Sequence, residues 1–433
     1  MKYPVANNAA YAWVSADSRE CGPDTAFVAD ALSARYTDAA KAAGCAAVLD
    51  AQALKSHFDL NLKIVGITGT NGKTTTAALI YSLLLDLGFK AALQGTRGFF
   101  INGEKIEGKG FTTPMLLDNY ARIDRAKKAG CDFFITEVSS HAIAQKRMEG
   151  IECALKIHTN ITGDHLDFHG TFENYRAVKN SFFEDETLKL INKDDPQIAF
   201  NPKNARTYGI ENPATFKLEA YSPNEGLSGV ISYGEEKAMF HSALMGHFNL
   251  YNILAALGAV KLLTDKPLQS VCDQLENFGG VSGRMEVVSL KPTVIVDFAH
   301  THDGIEKALT ALFPQKCVAV FGAGGDRDAT KRPLMGQAAA RHAVRLFITS
   351  DNPRHEEPMA IIEAIKAGCG NHPDVRIEPD RRAAIAGALA SLAPDEILVI
   401  LGKGDEETQQ IGDRLLPFND KNVVLELLKE QEA

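Results

Sequence analysis

The run Gly69-Thr70-Asn71-Gly72-Lys73-Thr74-Thr75-Thr76 follows directly on the apolar stretch Ile64-Val65-Gly66-Ile67. It reads as a strand, a glycine-rich loop and a helix starting near Lys73. Such a turn points several backbone N–H groups at one spot and adds the positive end of the helix. Lys73 supplies a point charge for terminal phosphates, and the Thr74 hydroxyl is placed to hold Mg²⁺. The strict phosphate-loop spacing is not met, because Gly66 lies one residue too far upstream. A bare Gly-Lys-Thr tripeptide would be weak evidence; in this strand–loop–helix setting nucleotide binding is the stronger reading than a plain turn.

Two polar clusters also end expected strands. Glu137-Val138-Ser139-Ser140-His141 offers a carboxylate, a hard oxygen ligand of the kind Mg²⁺ needs beside Thr74. A lone glutamate there would more often be solvated or capping. Asp164-His165-Leu166-Asp167-Phe168-His169-Gly170 is rich in histidine, yet its spacing matches no strong zinc pattern and no thiol is near. Lys179, in Tyr175-Arg176-Ala177-Val178-Lys179, falls on a helix and by composition alone reads as a surface lysine. Arginines gather late in the chain, in Gly283-Arg284, Gly324-Gly325-Asp326-Arg327-Asp328, Lys331-Arg332 and Asp351-Asn352-Pro353-Arg354. Guanidinium forks suit phosphate and carboxylate, although exposed ion pairs are the bland alternative. Arg354 is the exception, because Asp-Asn-Pro fixes the backbone just after a strand.

These residues need elements to aim them. From Lys63 onward the chain alternates apolar strands (Lys63–Ile67, Asp132–Val138, Leu155–Ile161, Leu188–Asn192) with helices (Lys73–Leu87, Met115–Ala129, Glu173–Phe183, Leu250–Leu263). That rhythm predicts a mainly parallel sheet covered by helices. Residues 214–242, with the turn Asn224-Glu225-Gly226, predict an antiparallel extension. Phe278–Arg284 reads as a glycine-rich hinge. Beyond it, strands Val294–Val296, Cys317–Phe321, Leu346–Thr349 and Ile397–Leu401 alternate with helices Lys331–His342, Met359–Cys369 and Arg381–Leu392. The expected fold class is therefore α/β in three domains: a short N-terminal α/β unit (1–62), a central phosphate-loop domain (63–282) and a C-terminal α/β domain (283–433). Ligands of open α/β sheets sit at the C-terminal ends of strands, so the active site is expected in a cleft between the two larger domains.

The chain has 433 residues, 45% apolar and 23% charged, the composition of an ordinary globular enzyme. A net charge of −9 disfavours nucleic acid or an anionic membrane as main partner. Seven scattered cysteines without a C-x-x-C pair predict reduced thiols in a cytoplasmic protein. No apolar run approaches about 18 residues and no secretion signal is read at the start.

Taken together, the segments resemble the Mur ligase family of peptidoglycan synthesis. The loop Gly69–Thr76, the clusters at Glu137 and Asp164, Tyr175–Lys179, Gly246-His247-Phe248-Asn249 with Asn252, Gly283-Arg284, Asp297–Asp303 and Phe321–Arg332 follow the family's order over about residues 10–410. Asp351-Asn352-Pro353-Arg354 resembles the motif of the branch that adds meso-diaminopimelate. The far carboxylate of that amino acid suits an arginine fork, which would repel the ammonium of lysine.

The resemblance implies a cytoplasmic, monomeric ATP- and Mg²⁺-dependent ligase with a Rossmann-like third domain. Its substrates would be UDP-MurNAc-L-Ala-D-Glu and meso-diaminopimelate. ATP would lie on Gly69, Thr70, Asn71, Gly72, Lys73, Thr74 and Thr75, with Asn252 near the adenine and Arg284, Asp297 and His300 as further contacts. One Mg²⁺ would be held through Thr74 and Glu137 and another near His165 with Lys179, which the family carries as a carbamate. Thr112, Thr113, Ser139, Gln145 and Arg147 match positions holding the UDP-sugar peptide, and Ser18, in Asp17-Ser18-Arg19, the uridine side. Arg327, Asp351, Asn352, Arg354, Gly402 and Glu406 match the amino-acid pocket.

Departures are Asp405 for the family's histidine in Gly402-Lys403-Gly404-Asp405-Glu406, His302 in His300-Thr301-His302-Asp303, and a first domain shorter than usual. Alternatives are a ligase for lysine or another diamino acid, a folylpolyglutamate-synthase-like ligase, and a nucleotide-binding protein without ligation.

Overall fold

The computed structural model describes residues 2–5, 8, 10–223 and 226–432. Asn224 and Glu225 of the expected turn lie outside the described residues. The chain forms two compact units: Met1–Tyr221 with Ser228–His241 and Tyr251–Phe278, and Gly279–Ala433 with Ser222–Leu227 and Ser242–Leu250.

The first unit is built on an eleven-stranded sheet. Its strands run in the order Glu236–Ser242, Leu227–Tyr233, Phe216–Ser222, Ala205–Gly209, Lys189–Asn192, Leu155–His158, Lys63–Thr68, Phe133–Glu137, Ala91–Gly95, Gly98–Ile101, Glu104–Glu107. Pairing is parallel from Phe216–Ser222 through Ala91–Gly95 and antiparallel across the last two junctions. Lys63–Thr68, buried at every position except Lys63, is the central strand that delivers the glycine loop. Its continuous β-branched, apolar run is what a parallel strand covered on both faces requires.

Helix Lys73–Asp86 is apolar nearly all round and buried from Thr76 through Leu84 apart from Ser82. Helix Leu116–Lys128 instead buries one face, Leu116, Leu117, Tyr120, Ile123 and Ala126, and places Arg125, Lys127 and Lys128 at its negative end. The four helices expected in this unit recur within two residues of their bounds, as in Phe172–Ser181 and Phe248–Leu263. One strand ends three residues earlier than expected. Leu155–His158 stops before Thr159, because residues 159–162 turn away to bond the glycine loop.

The N-terminal segment forms a four-stranded sheet, Tyr3–Pro4, Trp13–Ser15, Thr25–Val28 and Ala47–Leu49, with short helices. Val14, Ala26, Val28, Leu49 and Leu54 share one core with Leu116, Leu117 and Tyr120 of the next segment. Its packing is thus continuous with the central sheet's helices.

The second unit carries a six-stranded sheet in the order Glu286–Leu290, Thr293–Asp297, Glu396–Leu401, Lys316–Phe321, Ala343–Ile348, Val375–Ile377, parallel except for the first pair. Buried clusters lie on both faces, around Ile295, Phe321 and Ile362, and around Val296, Phe347 and Val424. A separate hairpin, Thr408–Ile411 with Arg414–Pro417, was not expected from the sequence.

Candidate active site

The glycine loop leaves the central strand at Thr68, and the helix begins at Lys73 with Gly72 as its cap. Gly72 has φ +84°, and a β-carbon there would collide with Asn252 Oδ1. Only glycine fits both the left-handed backbone and that approach. Residues after the neighbouring strand hold the loop. Thr70 N donates to Asn160 O (2.7 Å), Asn71 N to Asn160 Oδ1 (3.0 Å), and Thr159 Oγ1 to Asn71 O (2.6 Å). The Thr70 and Tyr175 hydroxyls lie 2.7 Å apart. Lys73 Nζ donates to Gly69 O (2.8 Å) and Thr70 O (2.9 Å). Thr75 is half-buried in the same first turn.

Asn252 is buried and its Oδ1 accepts from Thr76 Oγ1 (3.3 Å), which sets it against the start of the loop helix. Thr74 Oγ1 donates to Glu137 Oε2 (2.9 Å), so the two expected Mg²⁺ ligands do meet. Glu137 is buried, and its Oε1 accepts from Thr96 N (2.9 Å). A carboxylate and a hydroxyl, both hard oxygen donors, suit Mg²⁺, which characteristically takes few protein ligands and keeps waters and phosphates.

Lys179 is not a surface residue. It is 1% exposed, and its Nζ donates to Gly69 O (2.8 Å), the carbonyl that Lys73 also uses. Burial, and then the Lys73 charge, push its pKa well below the usual lysine range, against the pull of Asp164. His165 sits elsewhere in this neighbourhood, its ring edge-on to His141 at 4.8 Å and 3.5 Å from Asp164 Oδ2. Among the described residues, no group of three or more His, Cys, Asp or Glu side chains is arranged to hold a metal ion. The expected set of Thr74, Glu137, His165 and Lys179 is therefore resolved into a Thr74–Glu137 pair, a lysine on the loop carbonyl, and a histidine cluster. That cluster continues through His169, whose Nε2 lies 3.0 Å from Ser140 Oγ.

The residues expected around the sugar peptide are brought together. Thr113 Oγ1 donates to Glu137 O (2.9 Å) and accepts from Ser139 N (2.9 Å). Ser139 caps the short helix that follows through Ala142 N. The Thr112 hydroxyl is 3.1 Å from that of Thr96. Arg147 donates to Thr113 O (2.7 Å) and, through Nε, to Gln145 Oε1 (2.9 Å); burial lowers its pKa. Ser18 lies in a short turn capped by Asp17, and among the described residues it makes no side-chain bond to this group.

In the second unit, Asp297 is buried and accepts from Met285 N (2.7 Å) and Ala299 N (2.8 Å), and burial raises its pKa. Arg284 lies over the Phe298 ring (4.7 Å), and exposed His300 has Nδ1 2.9 Å from Phe298 O. Asp351, Asn352, Gly402 and Glu406 converge. Asn352 Nδ2 and the fully buried Lys403 Nζ both donate to Glu406 Oε2 (2.9 and 2.7 Å), and Lys403 also reaches Asn352 Oδ1 (3.1 Å). Glu406 thus keeps a defined place despite Asp405 beside it. Gly402 stands against the Asp351 carboxylate, whose pKa burial raises. Beneath them Arg381 binds Asp420 through Nε and Nη2 (2.7 and 2.8 Å) and reaches Leu401 O and Ser350 O (3.0 and 3.4 Å); both side chains are fully buried. Arg354 Nη1 donates to Gly325 O (2.6 Å), while Arg327 packs its stem near Gly324. Arg332 is consumed by Glu356 (2.7 and 2.8 Å), the bland outcome weighed for it.

Sequence reasoning missed Thr96, the Thr159-Asn160 clasp, the Arg381–Asp420 pair and Gln410. Only Arg381 and Asp420 carried a local signal, each at the start of a helical stretch.

A glycine loop that closes a parallel strand and opens a helix with Lys73 and Thr74 in its first turn defines a phosphate-binding α/β enzyme domain. Residues 67–260 match the Mur ligase middle domain, and residues 283–404 the Mur ligase glutamate ligase domain. The chain belongs to the Mur ligase family. It is 53% identical over 418 residues to UDP-N-acetylmuramoyl-L-alanyl-D-glutamate--2,6-diaminopimelate ligase of Wolinella succinogenes, covering 96% of each chain. It resembles a solved structure of a ligase of that name with a TM-score of 0.73 and 30% identity, over 97% of this chain and 95% of the other. A folylpolyglutamate synthase of Mycobacterium tuberculosis complexed with ADP and AMPPCP shares the fold alone: TM-score 0.63, 16% identity, 81% of this chain and 90% of the other.

Proposed function

We propose that this protein is an ATP-dependent amide ligase that joins meso-diaminopimelate to the D-Glu of UDP-MurNAc-L-Ala-D-Glu in peptidoglycan precursor synthesis. The activity named for its 53% identical relative supports this reading. The branch choice is carried by one observation: Arg354, in Asp351-Asn352-Pro353-Arg354, is anchored on a backbone carbonyl with donors left for a carboxylate.

A carboxylate is a poor acyl donor. Its γ-oxygen would attack the terminal phosphate of ATP, releasing ADP and leaving an acyl phosphate. The free amine of diaminopimelate would then attack the acyl carbon, form the amide and expel phosphate. Lys73 and the loop N–H groups bind and orient the phosphates. Thr74 and Glu137 would hold Mg²⁺, which supplies charge neutralisation when bound. Thr112, Thr113, Ser139, Gln145 and Arg147 orient the sugar peptide. Asn252, Arg284, Asp297 and His300 are assigned to ATP, Ser18 to the uridine side. Arg327, Asp351, Asn352, Arg354, Gly402 and Glu406 are assigned to the incoming amino acid.

Burial and Lys73 favour the neutral amine of Lys179. That is the form able to add CO2 and become the carbamate the family carries, which would turn this cation into an anionic oxygen ligand. We read the protein as a cytoplasmic monomer. No described helix is long and apolar enough to cross a membrane.

Phosphate release from ATP tests the proposal, with UDP-MurNAc-L-Ala-D-Glu present and each amino acid added in turn. Release is expected with meso-diaminopimelate. Release with L-lysine alone would overturn the branch choice, and no release with any amino acid would overturn ligation.

A further inference from the structure

Arg354 has φ +52°, a left-handed backbone that a non-glycine residue adopts only where its surroundings enforce it. The hairpin strand Thr408–Ile411 does the enforcing. Arg354 N donates to Gln410 O (3.1 Å), and Gly412 N to Arg354 O (2.6 Å). Gln410 N donates in turn to Asn352 Oδ1 (2.9 Å), two residues earlier in the same turn. On the other side Gly325 packs so tightly on Pro353 O that a β-carbon would collide with it.

The guanidinium is fixed by the same neighbours. Nη1 donates to Gly325 O (2.6 Å) and Nε to the Gln410 side-chain Oε1 (3.3 Å). The Gln410 amide is itself aimed by Nε2 donating to Gly412 O (3.1 Å). Both anchors of the fork are neutral. Several other arginines of this unit are paired with carboxylates: Arg332 with Glu356, Arg345 with Asp374 and Glu396, Arg381 with Asp420, Arg382 with Glu426 and Glu430. A neutral acceptor orients a guanidinium without cancelling its charge. Of its five donors, one on Nη1 and both on Nη2 make no hydrogen bond among the described residues.

We propose that Gln410 is a positioning residue for amino-acid recognition, holding the Arg354 fork at a fixed angle while leaving its charge for the ligand's carboxylate. The inference rests on the diaminopimelate reading above. Gln410 touches no reacting atom; it acts through Arg354.

The test compares kcat and the KM of each substrate for the full chain and the variants Gln410→Leu, Gln410→Glu and Arg354→Ala. Gln410→Leu removes the anchor and should raise the meso-diaminopimelate KM roughly tenfold or more, the scale of one hydrogen bond to a charged group. The KM of ATP and of the UDP-sugar peptide should move less than about twofold, since a lost orientation at one pocket is not shared by the others. Gln410→Glu keeps an acceptor for Nε but adds a charge. It should raise the same KM at least as much, because the fork then pairs with residue 410. A merely structural glutamine would tolerate that change, so a Gln410→Glu enzyme with an unaltered diaminopimelate KM overturns the proposal. Equal rises in all three KM values for Gln410→Leu overturn it too. If Gln410→Leu does not fold, Gln410→Glu alone decides. Arg354→Ala separates the two levels: no change in its diaminopimelate KM refutes the underlying reading, whereas a selective rise there with inert Gln410 variants refutes only the role of Gln410.

Discussion

The two units solve different electrostatic problems with different materials. The phosphate loop of the first unit is contiguous and is braced almost wholly by neutral groups: Asn160, Thr159, Tyr175 and backbone carbonyls. Both of its lysines donate to backbone carbonyl oxygens, and they share that of Gly69. The cluster around Asp351 in the second unit is assembled from distant segments and held by ion pairs: the fully buried Arg381 with Asp420, and buried Lys403 with half-buried Glu406. The loop sets its cations against backbone oxygens. The cluster in the second unit holds both signs and fixes each charge on another. The same strand-then-turn architecture can therefore make a site whose loss is chemical or a site whose loss is structural.

Lys73→Ala should show the chemical side most strongly. Removing the loop's phosphate cation should lower kcat by roughly 10³-fold, while urea unfolding shifts little, because the Lys73 side chain is only half-buried and the carbonyls it meets can turn to water. Arg381→Ala should show the structural side. It strands Asp420 without a partner at zero exposure, a change that costs about 3–5 kcal/mol, read as a lower urea midpoint. If Lys73→Ala proved as destabilising as Arg381→Ala, the contrast between the units would be wrong.

The smallest effect sharpens the contrast at the pocket's rim. His355 Nδ1 lies 2.7 Å from Asp326 Oδ2 and its Nε2 3.2 Å from Asp413 Oδ1. These carboxylates raise its pKa above the ordinary 6.5. A raised folded pKa means the stabilisation is complete below the unfolded value and fades as pH rises through the folded one. The Tm gap between the wild type and His355→Gln should thus be a degree or so near pH 6 and smaller near pH 9. A gap that grew with pH would sink this assignment.

Much of the first site was legible because its parts are local. A strand, a loop and a helix start lie within about a dozen residues, and strand ends mark Glu137 and Ser139. The bracing was not legible, since Thr159 and Asn160 act through a neighbouring strand, and no local pattern says that Leu155–His158 lies beside Lys63–Thr68. Lys179 carried no sign of burial in composition; only the resemblance pointed to it. In the second unit, Asp351–Arg354 stood out as a rigid turn. The partners Arg381 and Asp420 are 39 positions apart and look like ordinary helix-start residues. Gln410 lies in a four-residue strand too short to separate from loop by pattern alone. Alternation reveals strands and helices; it does not reveal which buried charges will meet.

The core shared by the N-terminal sheet with Leu116, Leu117 and Tyr120 bears on the order of events at the ribosome. Chains fold as they emerge, generally from the N-terminal end. Here the first four strands appear early, but the helix that completes their interior is synthesised more than sixty residues after Leu54. Until it arrives, Val14, Val28 and Leu54 have an unfinished partner surface. The sheet of residues 3–49 therefore depends on its successor in the chain for a closed interior.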